Sequence, residues 1–280
     1  MVLVDKPPGL TSHDVVLRVR RVLRTRAVGH TGTLDPFATG LLVVLVGRAT
    51  RLARFVESES KTYLATARLG VSTDTDDATG AELGEPADIS ALSEPVVRTA
   101  LAGFLGAQRQ RPPRYSAKHV DGERSYRLAR RGVAVDLAET AVTVHGIELV
   151  RFAPPELVFR ASVSAGTYVR ALARDLGERL GVGAHLTALR REAVGSLRVE
   201  DAVPLDRLDA DAVLPARAAL GHLPELELDD PARVAVSHGR AVAAEAGVRG
   251  NVALVHGGEL VAVARAEDGW ARPSVVLGSA

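Results

Sequence analysis

The chain has no cysteine. That absence excludes a disulfide, a thiolate nucleophile, an iron-sulfur cluster and any zinc site built on thiolates. Histidine, aspartate and glutamate remain as possible ligands, but no HExxH run or comparable cluster is present, so no metal and no cofactor is expected. Long apolar runs are missing from the start of the chain, where Asp5, Lys6, Pro7, Pro8, Asp14 and Arg18 fall within twenty residues. Neither a signal peptide nor a membrane anchor is expected, and the expected compartment is the cytoplasm. A Walker-type phosphate loop is missing too, since GHTGTLDP lacks the Gly-Lys-Ser/Thr ending. The run DTDDATG is no calcium loop, because Ala78 and Thr79 stand where a ligand and the tight-turn glycine are needed. Lysine is scarce: of 35 basic residues only Lys6, Lys61 and Lys118 are lysine. A compact ammonium and a planar guanidinium differ in geometry and hydration, which singles out these three positions.

What is present reads as a soluble globular protein. With 280 residues, 46% hydrophobic and 25% charged, the chain is long enough for one large domain plus a small one. The net charge of +1 hides strong segregation. From Gln108 to Arg131, eight basic residues (Arg109, Arg111, Arg114, Lys118, Arg124, Arg127, Arg130, Arg131) stand against Asp121 and Glu123, a local charge of +6. Pro112, Pro113, Tyr115 and Tyr126 interleave with them, which suits a phosphate-binding surface better than a solvated helix face. From Ser72 to Glu94, seven acidic residues occur with no basic one.

The element pattern is mixed. VLVD reads as a strand, followed by a helix signalled by Thr11, Ser12 and Asp14 with an apolar stripe at Val15, Val16, Val19, Val22 and Leu23. Leu41 to Val46 is an unbroken apolar run and predicts a strand buried on both faces. Further strands are expected at Lys61 to Leu69, Ala141 to Leu149, Leu157 to Ser164, His185 to Glu192 and Ser196 to Val199, and helices at Val96 to Leu105, Tyr168 to Leu180 and Pro204 to Leu208. Ser72 to Glu94 reads as loop. Leu223 to Pro231 reads as a linker into short β runs at Asn251 to His256 and Glu259 to Ala264. The boundaries expected are 1–224 for a catalytic domain and 225–280 for a small β domain.

The segment GHTGTLDPFATG, Gly29 to Gly40, carries the candidate chemistry. Glycines permit left-handed backbone or close approach, and Pro36 pushes Asp35 toward extended geometry. An Asp-Pro pair among Gly and Thr is also the composition of a turn or a helix cap, so the loop alone does not decide. A carboxylate nucleophile, an aromatic platform and an arginine, without metal or cofactor, suit attack on a sugar or an electron-poor base.

Five ordered segments extend this reading: VDKPPGLTSHDVV, GHTGTLDPFATGLL, KTYLATARLGVSTDTDDATG, RPPRYSAKHVDGERSYRLARRG and GTYVRALARDLGERLGVGAHLTALRR. Together, over roughly residues 2 to 200, they resemble the bacterial tRNA pseudouridine synthases of the TruB family. The resemblance implies Asp35 as catalytic aspartate, Tyr63 as the ring stacked on the target base, and Arg170 as the arginine paired with the aspartate. It further implies His30, Tyr168 and Leu189 at the flipped nucleotide. RNA contacts are expected from Lys6, Lys61, Arg109, Arg111, Lys118, Arg124, Arg127, Arg130 and Arg131. The implied fold is α+β, a mixed and mainly antiparallel central sheet flanked by helices, with a thumb-like insertion at about 108–136 and a short PUA-like C-terminal module. The implied activity is isomerisation of uridine 55 in the T loop of tRNA, with the T arm as partner and no obligate protein partner. Two alternatives stand beside it: a guide-RNA-dependent synthase of the archaeal and eukaryotic type, and a non-catalytic tRNA-binding or folding module. The basic insertion argues against the first, and an intact Asp35, Tyr63 and Arg170 against the second.

Overall fold

The computed structural model describes residues 1–116, 131, 137–245 and 247–277, together with the backbone of 119–120 and 123–124. The chain divides into two units, Met1–Glu59 with Ala193–Ala280, and Ser60–Glu192.

In the first unit the apolar run becomes the strand Thr39–Val46, where Leu41, Leu42, Val43 and Val44 are all fully buried. A strand covered on both faces has no reason to alternate, so its sequence does not. It pairs antiparallel with Val2–Lys6 on one side, Lys6 opposite Gly40, and with Val28–His30 on the other, His30 opposite Val44. Val2–Lys6 also pairs in parallel with Val203–Pro204. The helix Ser12–Val22 starts on a capping box, in which the Asp14 amide donates to Thr11 Oγ1 at 3.1 Å and the Thr11 amide donates to Asp14 at 2.8 Å. Its buried face is Ser12, Val15, Val16 and Val19, the helical spacing of the stripe.

The same unit holds a five-stranded sheet ordered Glu225–Glu227, Gly250–His256, Glu259–Glu267, Trp270–Val276 and Val242–Ala243. One face packs Val252, Leu254, Ala262 and Ala264 with Val236 of the helix Asp230–Ser237. The other adds Ala253, Val255, Val263 and Val275 to the core of Leu3, Leu41, Val43 and Phe55. Three details differ from expectation. Residues 225–227 form a strand inside the stretch read as linker, Asp230–Ser237 is a helix where β structure was expected, and 204–208 contains only a short 3-10 turn at Leu205–Arg207.

In the second unit, neighbouring strands run in the order Ala184–Val194, Lys61–Leu69, Glu156–Val163, Thr140–Ala153 and Gly106–Gln110. The three pairings among Lys61–Leu69, Glu156–Val163, Thr140–Ala153 and Gly106–Gln110 are antiparallel. The helices Glu94–Ala102 and Val169–Arg179 flank this sheet. In the last turn of the second helix Gly177 meets the returning chain: an added Cβ would lie 2.2 Å from the Ala184 amide, so only glycine allows this close approach. The acidic stretch is loop broken by two short paired strands, Ser72–Thr73 and Glu82–Leu83. Beyond Gln110, the strands His119–Val120 and Glu123–Arg124 pair antiparallel. Both units are mixed α and β, with sheet that is mainly antiparallel. Among the described residues no helix is long and apolar enough to cross a membrane.

Candidate functional site

Asp35 sits half-buried in the loop between the strands Val28–His30 and Thr39–Val46. Gly32 and Gly40 have φ of 88° and 99°, the left-handed region expected of them. The residue before Asp35 is clamped by one hydroxyl: Ser12 Oγ donates to the Leu34 carbonyl at 3.1 Å and accepts from the Leu34 amide at 2.8 Å. The residue after it is clamped by its carbonyl. Pro36 O accepts from the Gly9 amide at 2.8 Å and from Lys6 Nζ at 3.3 Å. Asp35 is thereby fixed from both sides by the first strand, the turn after it and the first helix. The Ala38 amide adds a tight turn by donating to the Asp35 carbonyl at 3.1 Å.

Lys6 is fully buried and its ammonium donates to three backbone carbonyls, Leu10 at 2.7 Å, Pro7 at 2.9 Å and Pro36 at 3.3 Å. Expected as an RNA contact, it is placed here as the post on which the Asp35 loop rests. His30 ends the strand Val28–His30 and is half-buried.

In the second unit, Lys61 and Tyr63 point to the same side of Lys61–Leu69 and are 7% and 8% exposed. Leu189, 7% exposed, lies on the neighbouring strand Ala184–Val194. Tyr168 caps the helix Val169–Arg179. Its backbone is held at both ends by the buried Gln110, whose Oε1 accepts from the Tyr168 amide at 2.9 Å and whose Nε2 donates to its carbonyl at 3.1 Å.

Arg170, in the first turn of that helix, is 4% exposed. Its guanidinium donates to the Thr75 carbonyl at 2.8 Å, to Asp77 Oδ2 at 3.2 Å and to the Tyr115 carbonyl at 2.8 Å. Asp77 is equally buried, and its other oxygen accepts from Thr75 Oγ1, the Thr79 amide and Thr79 Oγ1. A second pair follows one step along, Asp76 with Arg174 at 3.0 Å. Asp76, Asp77 and Gln110 are not among the residues that the sequence singled out. The two aspartates lie in DTDDATG, whose density of Asp and Thr was the available signal; Gln110 had none.

Of the expected RNA contacts, Arg109 is exposed and pairs with the exposed Glu139 at 3.2 Å, and Arg111 and Arg131 are exposed. Lys118, Arg127, Arg130 and the side chain of Arg124 lie outside the described residues.

A model of the TruB family pseudouridylate synthase N-terminal domain matches residues 20–169, and one of the tRNA pseudouridylate synthase B C-terminal domain matches residues 170–223. A Thermobifida fusca (strain YX) protein named tRNA pseudouridine synthase B is 46% identical over 99% of this chain and 98% of its own length. Its Arthrobacter sp. (strain FB24) namesake is 42% identical over 99% of this chain and 96% of its own. Among solved structures, one of a Cbf5-Nop10-Gar1 complex superposes with a TM-score of 0.76 at 29% identity, covering 99% of this chain and 83% of that one. With the first family model spanning more than half of the chain and relatives aligned over nearly all of it, the chain belongs to the TruB family of tRNA pseudouridine synthases.

Proposed function

We propose that the chain converts uridine 55 in the T loop of tRNA to pseudouridine, with Asp35 as the nucleophile and without a guide RNA. The observation that carries this reading is the clamping of Asp35. Its two neighbours are fixed by Ser12 on one side and by Gly9 and Lys6 on the other, so the backbone that carries its carboxylate is held in one place. Holding a reacting group in position removes much of the entropic part of a barrier.

The isomerisation breaks the bond between C1' and N1 of the uridine and joins C1' to C5, with the C5 proton released to water. No oxidant, reductant or cofactor is consumed. The base must first leave the stacked loop, which costs a few kcal/mol, and an aromatic face restores part of the lost stacking. Tyr63 serves that role in this reading. Arg170 favours the ionised carboxylate of the nucleophile, the role that the resemblance gives it. Its orientation is set in advance by Asp77 and by the carbonyls of Thr75 and Tyr115. His30, Tyr168 and Leu189 complete the enclosure of the flipped nucleotide.

Full-length likeness to proteins named tRNA pseudouridine synthase B favours this reading over the guide-dependent one. The test is to incubate the protein alone with an unmodified tRNA transcript tritiated at uridine C5. Release of label, mapped to position 55 and lost in Asp35→Asn, is expected. No release without a guide, or modification elsewhere, refutes it.

A further inference from the structure

Two ion pairs lie side by side in the second unit, and the proposed reaction uses only one. Asp76 and Asp77 are consecutive, and their partners Arg174 and Arg170 stand one turn apart on the helix Val169–Arg179. We propose that the Asp76–Arg174 pair is a positioning element of this enzyme, holding Arg170 and Asp77 in fixed relation to the backbone at the foot of the basic insertion. The inference rests on the reading of Arg170 as a residue that serves the reaction.

The geometry supplies three reasons. Asp76 has φ of 61°, a left-handed conformation that residues with a side chain rarely adopt. Held strain of this kind persists only where the surroundings impose it. Arg174 imposes it here through all of its fork: Nη1 donates to Asp76 at 3.0 Å, Nη2 to the Arg111 carbonyl at 2.9 Å and Nε to Asp175 at 2.8 Å. Arg170 likewise joins the 75–77 loop to the Tyr115 carbonyl. The two arginines therefore staple one loop to one short segment, 111–115, at two points a helical turn apart. The Asp76 backbone is pinned as well, because its carbonyl accepts from the Leu186 amide at 3.1 Å on the strand that carries Leu189.

Stability does not account for the pair. Burial pushes the Asp76 carboxyl up to about 6, against the pull of Arg174 and Arg170. A carboxyl raised above its unfolded value contributes stability that is present below that unfolded value and lost as pH rises through about 6. At neutral pH the ionised Asp76 is thus a load on the folded chain, in line with the small net worth of buried ion pairs. The charged groups that act on it or share its cleft are Arg174, Arg170, Asp175 and Glu178 from the helix, Asp74 from its own loop, and Arg109, Arg111, Arg114 and Glu139 from the two ends of the insertion. They line or adjoin an open polar cleft of about 830 Å³.

The test uses the full chain with Asp76→Asn, Arg174→Gln and the double variant. Asparagine keeps the shape and tolerates the left-handed backbone. At about pH 8, Asp76→Asn is expected to unfold at the wild-type temperature or above it, since the charged load is gone and Arg174 keeps Asp175 as a carboxylate partner. Its single-turnover rate of tritium release from labelled tRNA is expected to fall about tenfold or more, because small displacements of positioned groups are costly. Its tRNA affinity by filter binding is expected to stay within about threefold of wild type. The double variant is expected to be no slower than the slower single one, as for groups acting as a unit. The wild-type rate is expected to fall as pH drops through about 6, a limb that Asp76→Asn lacks and Asp175→Asn keeps. A rate within about threefold of wild type in Asp76→Asn, additive losses in the double variant, or a rate loss that tracks a lowered unfolding temperature each overturns the inference. Wild-type protein that releases no label overturns the activity reading, and this inference with it.

Discussion

Ser12→Ala removes a single oxygen that no RNA can touch, since Ser12 is 2% exposed. That oxygen both donates to and accepts from Leu34, the residue before Asp35. Leu34 is 3% exposed, so water cannot take over either bond. A buried backbone group left without its partner costs about 1–3 kcal/mol, and two are stranded here, giving about 2–6 kcal/mol. Alanine avoids the desolvation of the hydroxyl, which brings the expected loss to about 2–4 kcal/mol. For a chain of this length each 1 kcal/mol lowers the thermal midpoint by roughly 2–4 °C, so a fall of roughly 4–16 °C is expected by calorimetry or circular dichroism.

The functional consequence is separate from the thermal one. With the Leu34 clamp gone, Asp35 loses the support on its N-terminal side, and a wander of about 1 Å at a reacting group costs up to about 100-fold in rate. Single-turnover tritium release, measured well below the lowered midpoint, is expected to fall by about tenfold or more while tRNA affinity holds. Ser12→Thr retains the hydroxyl and is expected to recover most of both losses. A Ser12→Ala protein with the wild-type midpoint and rate would show that the loop is set by its glycines and by Lys6, and that the hydroxyl is incidental.

Asp35→Asn is expected to abolish label release while leaving tRNA binding intact, since the amide fills the same space without the anionic nucleophile; any turnover by a clean preparation refutes the assignment. Asp77→Asn breaks a buried pair from one side, which costs about 3–5 kcal/mol, so both the unfolding midpoint and the rate are expected to fall; an unchanged midpoint refutes the pairing with Arg170. Replacing Arg124, Arg127, Arg130 and Arg131 by alanine is expected to weaken tRNA binding and flatten its salt dependence by about 0.9 in log-log slope for each phosphate that is no longer neutralised; an unchanged slope makes that surface a solvated face. An isolated T-arm stem-loop is expected to be modified at its target uridine far faster than an unstructured strand of the same loop sequence, because the folded loop has already met the cost of ordering; equal rates refute recognition by shape.

The elements that position Asp35 were legible because their signals are local. The apolar run at Leu41 to Val46, the capping box at Thr11 and Asp14 and the glycines around Asp35 each act within a few residues of chain. Asp230–Ser237 had a local signal that composition masked: Asp229 caps it and Pro231 sits in its first turn, yet both also suit a linker. The Arg170–Asp77 pair was beyond such reading, since its partners are 93 residues apart and nothing in a periodic pattern joins them. Arginine in a helix and aspartate in a polar loop look like surface residues until the fold buries both. For Lys6 the scarcity of lysine was the available clue, and it marked the position without saying what the ammonium holds. Three carbonyls converge on the ammonium within 2.7 to 3.3 Å, and a compact cation with three rotatable donors meets that demand. A planar guanidinium projects its donors as a fork and cannot bond to three carbonyls gathered around one point. In a chain that otherwise uses arginine almost throughout, lysine is kept where the geometry of the Asp35 loop admits nothing larger.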